Sequence, residues 1–269
     1  QPVLTGPRLE HRPSFAPKQY LAYSLPLFLA GFLDVAMNYT DVFMTGHFLD
    51  DQAVGLYGAA ATLASLVAVG TELLNPMFLS IITRQWAGGD NESVIATFNN
   101  NNRWFLYLTL PLLAGATLMA GPLMGLLWGQ PFQAGATALV LLTAGRFFFC
   151  IENTSLLLLS MHGAGKFLLI SNVSVAGLNV VLNWWLIPLI GINGAALATC
   201  VSLAFHAALV MTGARMYHRR QGMRVIYWMI LFAAVLPACV LILLPRYLGH
   251  GWSGVLLSGI LYSLCFVVL

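Results

Sequence analysis

Charge is what this sequence has least of. Of its 269 residues only 8% are Asp, Glu, Lys or Arg, where soluble chains carry about 25%. A chain this poor in charge is not an ordinary soluble domain. Cysteine is scarce too. Cys150, Cys200, Cys239 and Cys265 each sit inside an apolar run. None has metal-ligand spacing or a close partner, so they point to neither a zinc site nor a disulfide framework and read as small buried hydrophobes. The net charge of +3 is no nucleic-acid footprint. No signal peptide, large hydrophilic loop or cofactor motif stands out. The chain opens on a proline-rich basic lead, QPVLTGPRLEHRPSFAPK, and ends inside an apolar run at Leu269. Both ends read as those of a piece of a longer protein.

What is abundant is hydrophobicity: 59% of residues are apolar and the mean hydropathy is +0.82. The expected fold is therefore an all-α integral membrane protein. Taking about 20 residues per crossing, eight spans are predicted, at Tyr20–Phe48, Ala53–Gln85, Trp104–Leu123, Phe132–Met161, Phe167–Ile187, Asn193–Ala214, Met223–Leu244 and Gly251–Leu269. With this assignment ten of the twelve Lys and Arg fall on one side, among them Arg8, Arg84, Arg103, Lys166 and Arg215. Arg246 falls on the other, and Arg146 is inside a span. Basic loops stay in the cytoplasm, so both termini of the segment are expected there. The predicted organisation is a lead or linker over 1–17, a six-helix lobe over 18–215 and two further spans over 216–269.

The stretch Leu25 to Gly46 combines an apolar body with Asp34, Asn38 and Asp41. Steps of four and three put these on one helical face. A carboxylate at bilayer depth costs roughly 3 kcal/mol on insertion scales, so the face is expected to look into protein or a wet cavity. The second span holds Glu72 and Asn75 beside Pro76; a helical proline frees the carbonyl four residues back, which makes either a gate or ion site or a static bend. The fourth span carries Arg146, Glu152 and Asn153, with Arg146 and Asn153 sharing a face. An intramembrane arginine needs an anion, either a carboxylate of this chain or a substrate phosphate. The fifth span carries Asn172, Asn179 and Asn183 on one face, suited to sugar hydroxyls or to gluing helices together. The loop AGGDNES and Asn99 to Asn102 are expected to be polar, solvated and helix-capping. The sixth span opens on GINGAALAT, whose small residues admit close helix approach, and carries His206 deeper.

The succession NYTDVFMTGHFLDDQAVGLYGAA, AGGDNES, MHGAGK and LNVVLNWWLIPLIGINGAALAT resembles bacterial polysaccharide-export flippases, of the superfamily of multidrug, oligosaccharidyl-lipid and polysaccharide exporters. The resemblance covers roughly Pro17 to Arg215 and looks like the C-terminal half of such a protein. It implies a two-lobed transporter with a central cavity lined by the first helix of each lobe, so that Asp34, Asn38 and Asp41 face it. It implies no catalytic residues, no resident cofactor and no metal centre. The implied partners are a lipid-linked oligosaccharide, membrane lipid, the N-terminal lobe of the same protein, and Na⁺ or H⁺ as coupling ion, with alternating access in a bacterial cytoplasmic membrane. Arg146 is the candidate contact to a carrier pyrophosphate. The competing expectations are a cation-coupled multidrug extruder and, less well matched because the loops are short, a membrane-embedded polymerase or glycosyltransferase.

Overall fold

Asp50 and Asp90 set the register of the first three helices. Each carboxylate accepts the backbone N–H three residues on, Asp50 from Ala53 at 2.9 Å and Asp90 from Ser93 at 3.1 Å, which satisfies donors a helix start leaves open. The computed structural model describes residues 17–217; within them the side chains of residues 17–20, 22, 23, 34 and 38 are not described. Seven α-helices follow in order: α1 Pro17–Phe48, α2 Asp51–Ala87, α3 Asn91–Leu118, α4 Ala120–Trp128, α5 Ala136–Met161, α6 Gly165–Ile190 and α7 Ile192–Tyr217. A short 3₁₀ turn, Gln130–Gly135, joins α4 to α5, and no strand occurs among the described residues.

Five of these helices are long and apolar enough to cross a membrane, and α3 with α4 makes a sixth if the pair is one span bent by 77°. The surface agrees with that solvent. Phe43, Leu73, Leu126, Trp185 and Leu189 are all largely exposed, which water would penalise and lipid does not. This is a multi-pass membrane protein. The predicted spans Met223–Leu244 and Gly251–Leu269, with Cys239 and Cys265, lie outside the described residues, as does most of the basic lead.

Helix α5 is the post of the bundle. It packs on α7, α2 and α3, while α6 joins α7 to α1. The α5–α7 approach is close because Gly145 has no side chain: a Cβ there would lie 3.2 Å from the Cα of Cys200. Two apolar cores close the ends. Tyr57, Ala60, Ala64, Met124, Leu139 and Ala196 fill one; Ile82, Val94, Phe98, Leu158, Leu168 and Val210 fill the other. The polar residues lie largely between them.

The structure corrects the polar stretch after the second span. Because Asp90 caps α3, the helix begins at Asn91, so Asn91, Glu92 and Ser93 are its first turn rather than loop. Asn99 to Asn102 lie inside the helix, and Asn101 and Asn102 are buried. Asn101 donates to Thr154 Oγ1 on α5 at 3.0 Å. Asn101 thus joins α3 to α5, and of the four only Asn100 is exposed; the run is not a helix cap. Arg103, expected in the loop, is on the exposed side of the same helix. Helix α2 runs through Pro76 without interruption.

Candidate cation and substrate site

Asp41 is the point on which four helices converge. Its carboxylate is 5% exposed. Oδ1 accepts Asn183 Nδ2 from α6 at 2.7 Å. Oδ2 accepts the Tyr57 hydroxyl from α2 at 3.0 Å and Thr199 Oγ1 from α7 at 2.5 Å. Asn183 also donates to Asn179 Oδ1 one turn away, at 3.0 Å, and Tyr57 and Thr199 are 3.4 Å apart. Three donors on one carboxylate answer the cost of placing it in a membrane, since hydrogen bonds to a charged group contribute about 1.5–3 kcal/mol each. The meeting follows from the chain's course. Asp41 lies seven residues before the end of α1, Thr199 seven after the start of α7, and Tyr57 and Asn183 sit at matching distances from theirs. At 1.5 Å per residue all four are about 10 Å below the same end of the bundle.

A cavity of about 70 Å³ opens beside Asp41, lined among others by Met37, Tyr57, Arg146, Asn179, Thr199 and Ser202. That is room for a small cluster of waters or a partly hydrated ion. Arg146 enters from α5, half-buried, with its guanidinium 5.9 Å from the centre of the Phe149 ring. One wall therefore presents carboxylate, hydroxyl and amide oxygens and another a cation. Ser202 Oγ is fully buried and has no hydrogen-bond partner.

The predicted residues divide over this geometry. Asp41, Arg146 and Asn179 line the cavity, and Asn183 stands behind Asp41 and holds it. Asp34 and Asn38 are on α1, two turns and one turn before Asp41, and their side chains lie outside the described set. Asn153 is elsewhere, accepting from Asn75 Nδ2 at 3.0 Å across α2 and α5. Glu72 is on an exposed face of α2. Glu152 is buried and meets His206 of α7, with Oε1 2.9 Å from Nδ1. Asn172 binds the Ala30 carbonyl of α1 at 2.8 Å and is a helix tie. Sequence reasoning missed Tyr57 and Thr199. Both lie in conspicuous motifs, VGLYGAA and GINGAALAT, but neither is ionisable in the usual range, and only the fold brings them to Asp41.

A family described as "Polysaccharide biosynthesis protein" matches residues 7–136. The chain is 24% identical over 194 residues to a probable low-salt glycan biosynthesis flippase from Haloferax volcanii, covering 71% of this chain and 40% of the relative. Its fold is similar to that of a lipid II flippase, MurJ, in an inward closed conformation, with a TM-score of 0.62 at 17% identity, covering 97% of this chain and 56% of that one. The chain thus spans about half the length of the proteins it resembles.

Proposed function

We propose that this chain is one lobe of a transporter that carries a lipid-linked oligosaccharide, a polysaccharide repeat unit, across a bacterial cytoplasmic membrane by alternating access. The observation that carries the reading is the cavity with Asp41 on one wall and Arg146 on another. A pyrophosphate-linked sugar asks for both a cation that meets phosphate and neutral donors and acceptors that meet hydroxyls. Arg146 supplies the first, and Asn179, Tyr57 and Thr199 the second, while the polyprenyl tail stays in lipid. Asp34 and Asn38, sharing a face of α1 with Asp41, extend the same path.

Asp41, with the oxygens of Asn179, Tyr57 and Thr199, would hold Na⁺, since an all-oxygen set around one carboxylate suits a hard monovalent cation. Bound there, the ion would supply the charge that competes with the three donors for the carboxylate and so biases one of two packings of α1 against α6 and α7. In this reading residues 18–215 are the lobe, a second lobe completes the cavity, and both ends of the segment are cytoplasmic. The chain does no covalent chemistry.

The test is made in the full-length protein. Asp41→Asn and Arg146→Ala are expected to abolish most surface polymer at unchanged protein level, with lipid-linked repeat units accumulating inside the cell. Normal polymer from both would end this assignment. Unchanged polymer with new drug sensitivity would move the reading to the multidrug branch of the superfamily.

A further inference from the structure

We infer that the buried pair Glu152–His206 is a proton-binding site, set one helical turn beyond the Asp41 cavity and chemically separate from it. Glu152 is 1% and His206 7% exposed, and they meet across the close α5–α7 contact at 2.9 Å. The cavity ends on Phe149 of α5 and on Ser202 and Leu203 of α7. Glu152 is three residues past Phe149, and His206 is four past Ser202, so the pair lies on the same two faces one turn further along. From the α5 and α7 starts it is some 21–24 Å deep, against about 10 Å for Asp41. The hydroxyl of Ser202, buried and unpartnered, stands between the cavity and the imidazole, where a hydroxyl both takes and gives a proton.

Two features select a proton over a metal cation. An imidazole nitrogen beside a carboxylate is the side-chain pair that titrates near neutral pH, and as a pair the two share protons rather than titrating singly. Protonated, Glu152–His206 is a neutral ion pair inside the bundle. When the proton leaves, the pair carries a net negative charge in a low dielectric, which burial disfavours. The proton-loaded state therefore draws α5 and α7 together. Among the described side chains, the ionisable groups on the helices about the pair are Arg146 and Cys150 on α5, Glu72 and Tyr57 on α2, Asp41 on α1 and the exposed Arg103 on α3; Asp34 stands on α1 at the depth of the pair, and α6 carries only Lys166, at its start. Glu72, Arg146 and Glu152 all act electrostatically on Cys150. Arg146, six residues before Glu152, is the cation among them nearest along the helix, and it is also a wall of the cavity. Loss of the proton would pull that wall toward Glu152.

Direct proton counting tests this without any substrate, so its result stands apart from the transport reading. Full-length protein in lipid nanodiscs is titrated between about pH 9 and pH 5, the range in which histidine pairs change charge. Wild type is expected to take up about one proton more than the His206→Asn, Glu152→Gln double variant, and each single variant is expected to move the pH of that uptake, since a buried carboxyl or imidazole left by itself still titrates. Asp41→Asn is expected to retain the proton. Equal uptake in wild type and the double variant would overturn the site, and its loss in Asp41→Asn would overturn the separation. Should the Glu152 and His206 variants fail to fold, histidine-ring NMR of wild type decides: the signal shielded from a water-soluble paramagnetic quencher must shift over this pH range, and a buried signal that stays fixed refutes the proposal.

Discussion

At the scale of single residues, most of the architecture rests on atoms that are missing or unusually well matched. Gly194 is the sharpest case. A Cβ there would sit 2.2 Å from the carbonyl oxygen of Leu186 and 2.9 Å from the nitrogen of Ile187, both backbone atoms that cannot swing away. Gly194→Ala is expected to cost about 2 kcal/mol by overpacking, read as a fall of roughly 5 °C in Tm. Asn183 is the polar counterpart. Asn183→Leu removes the donor to both Asp41 and Asn179 and leaves two buried acceptors unmet, a loss expected at about 2–4 kcal/mol. Thermal unfolding in detergent measures both. Asp41 and Arg146 were legible in the sequence because a charge inside a 20-residue apolar run has to be explained. Tyr57 and Thr199 were not, because a tyrosine or threonine in a membrane helix is unremarkable until its partner is known. The same holds for His206, which read as a solitary polar residue until the fold set Glu152 against it.

At the scale of elements, the helices of the lobe were legible from hydropathy, and α3 was the one misread. Its first three turns carry only Val94, Ile95 and Phe98 as large apolar residues before a run of four asparagines, too few to mark a span before Trp104; the other signal was the cap, Asp90 with Ser93 three residues on. Hydrogen bonds from the Ser93 side chain and then its backbone hold the Asp90 carboxyl below its ordinary value of 3.8. A carboxyl lowered on folding stabilises above its unfolded pKa, and the contribution is lost as pH falls through the lower, folded value. The protection factor at Ser93 and Val94, exchange taken relative to an unstructured amide at the same pH, should therefore fall below about pH 4. Asp90→Ala should lower it at neutral pH too and remove that pH dependence. The α5–α7 contact makes a second prediction at this scale. Gly145→Val sets a branched side chain against the Cys200 backbone, so it should separate the two helices and weaken the Glu152–His206 contact with them. An increase in the labelling rate of Cys200 by a small thiol reagent checks it.

At the scale of the molecule, the helix order fixes sides. The α2–α3 turn and the α5–α6 turn share one end of the bundle, and the Asp50, Gln130 and Gly191 connections share the other. In intact cells a membrane-impermeant maleimide should modify Gln130→Cys and spare Glu92→Cys until the cells are opened; the reverse pattern would invert the orientation drawn from the basic loops. The break after α3 has a further effect. From Trp104 to Leu118 the helix offers 15 apolar-flanked positions, about 22 Å of length, against a hydrocarbon layer of about 30 Å. Trp104 and Tyr107 are exposed on its outer face, as are residues that favour a headgroup boundary. α4 then continues toward the Gln130 end at 77° to α3. Hydrophobic mismatch of this kind thins the bilayer beside the shorter element. The lipid next to α3 is thus expected to thin on one flank of the lobe, and in the proposed transporter that dimple would shorten the path of a headgroup between leaflets. Reconstituted into bilayers of progressively longer acyl chains, the protein should slow as the dimple becomes costlier to form, with no residue of the cavity changed.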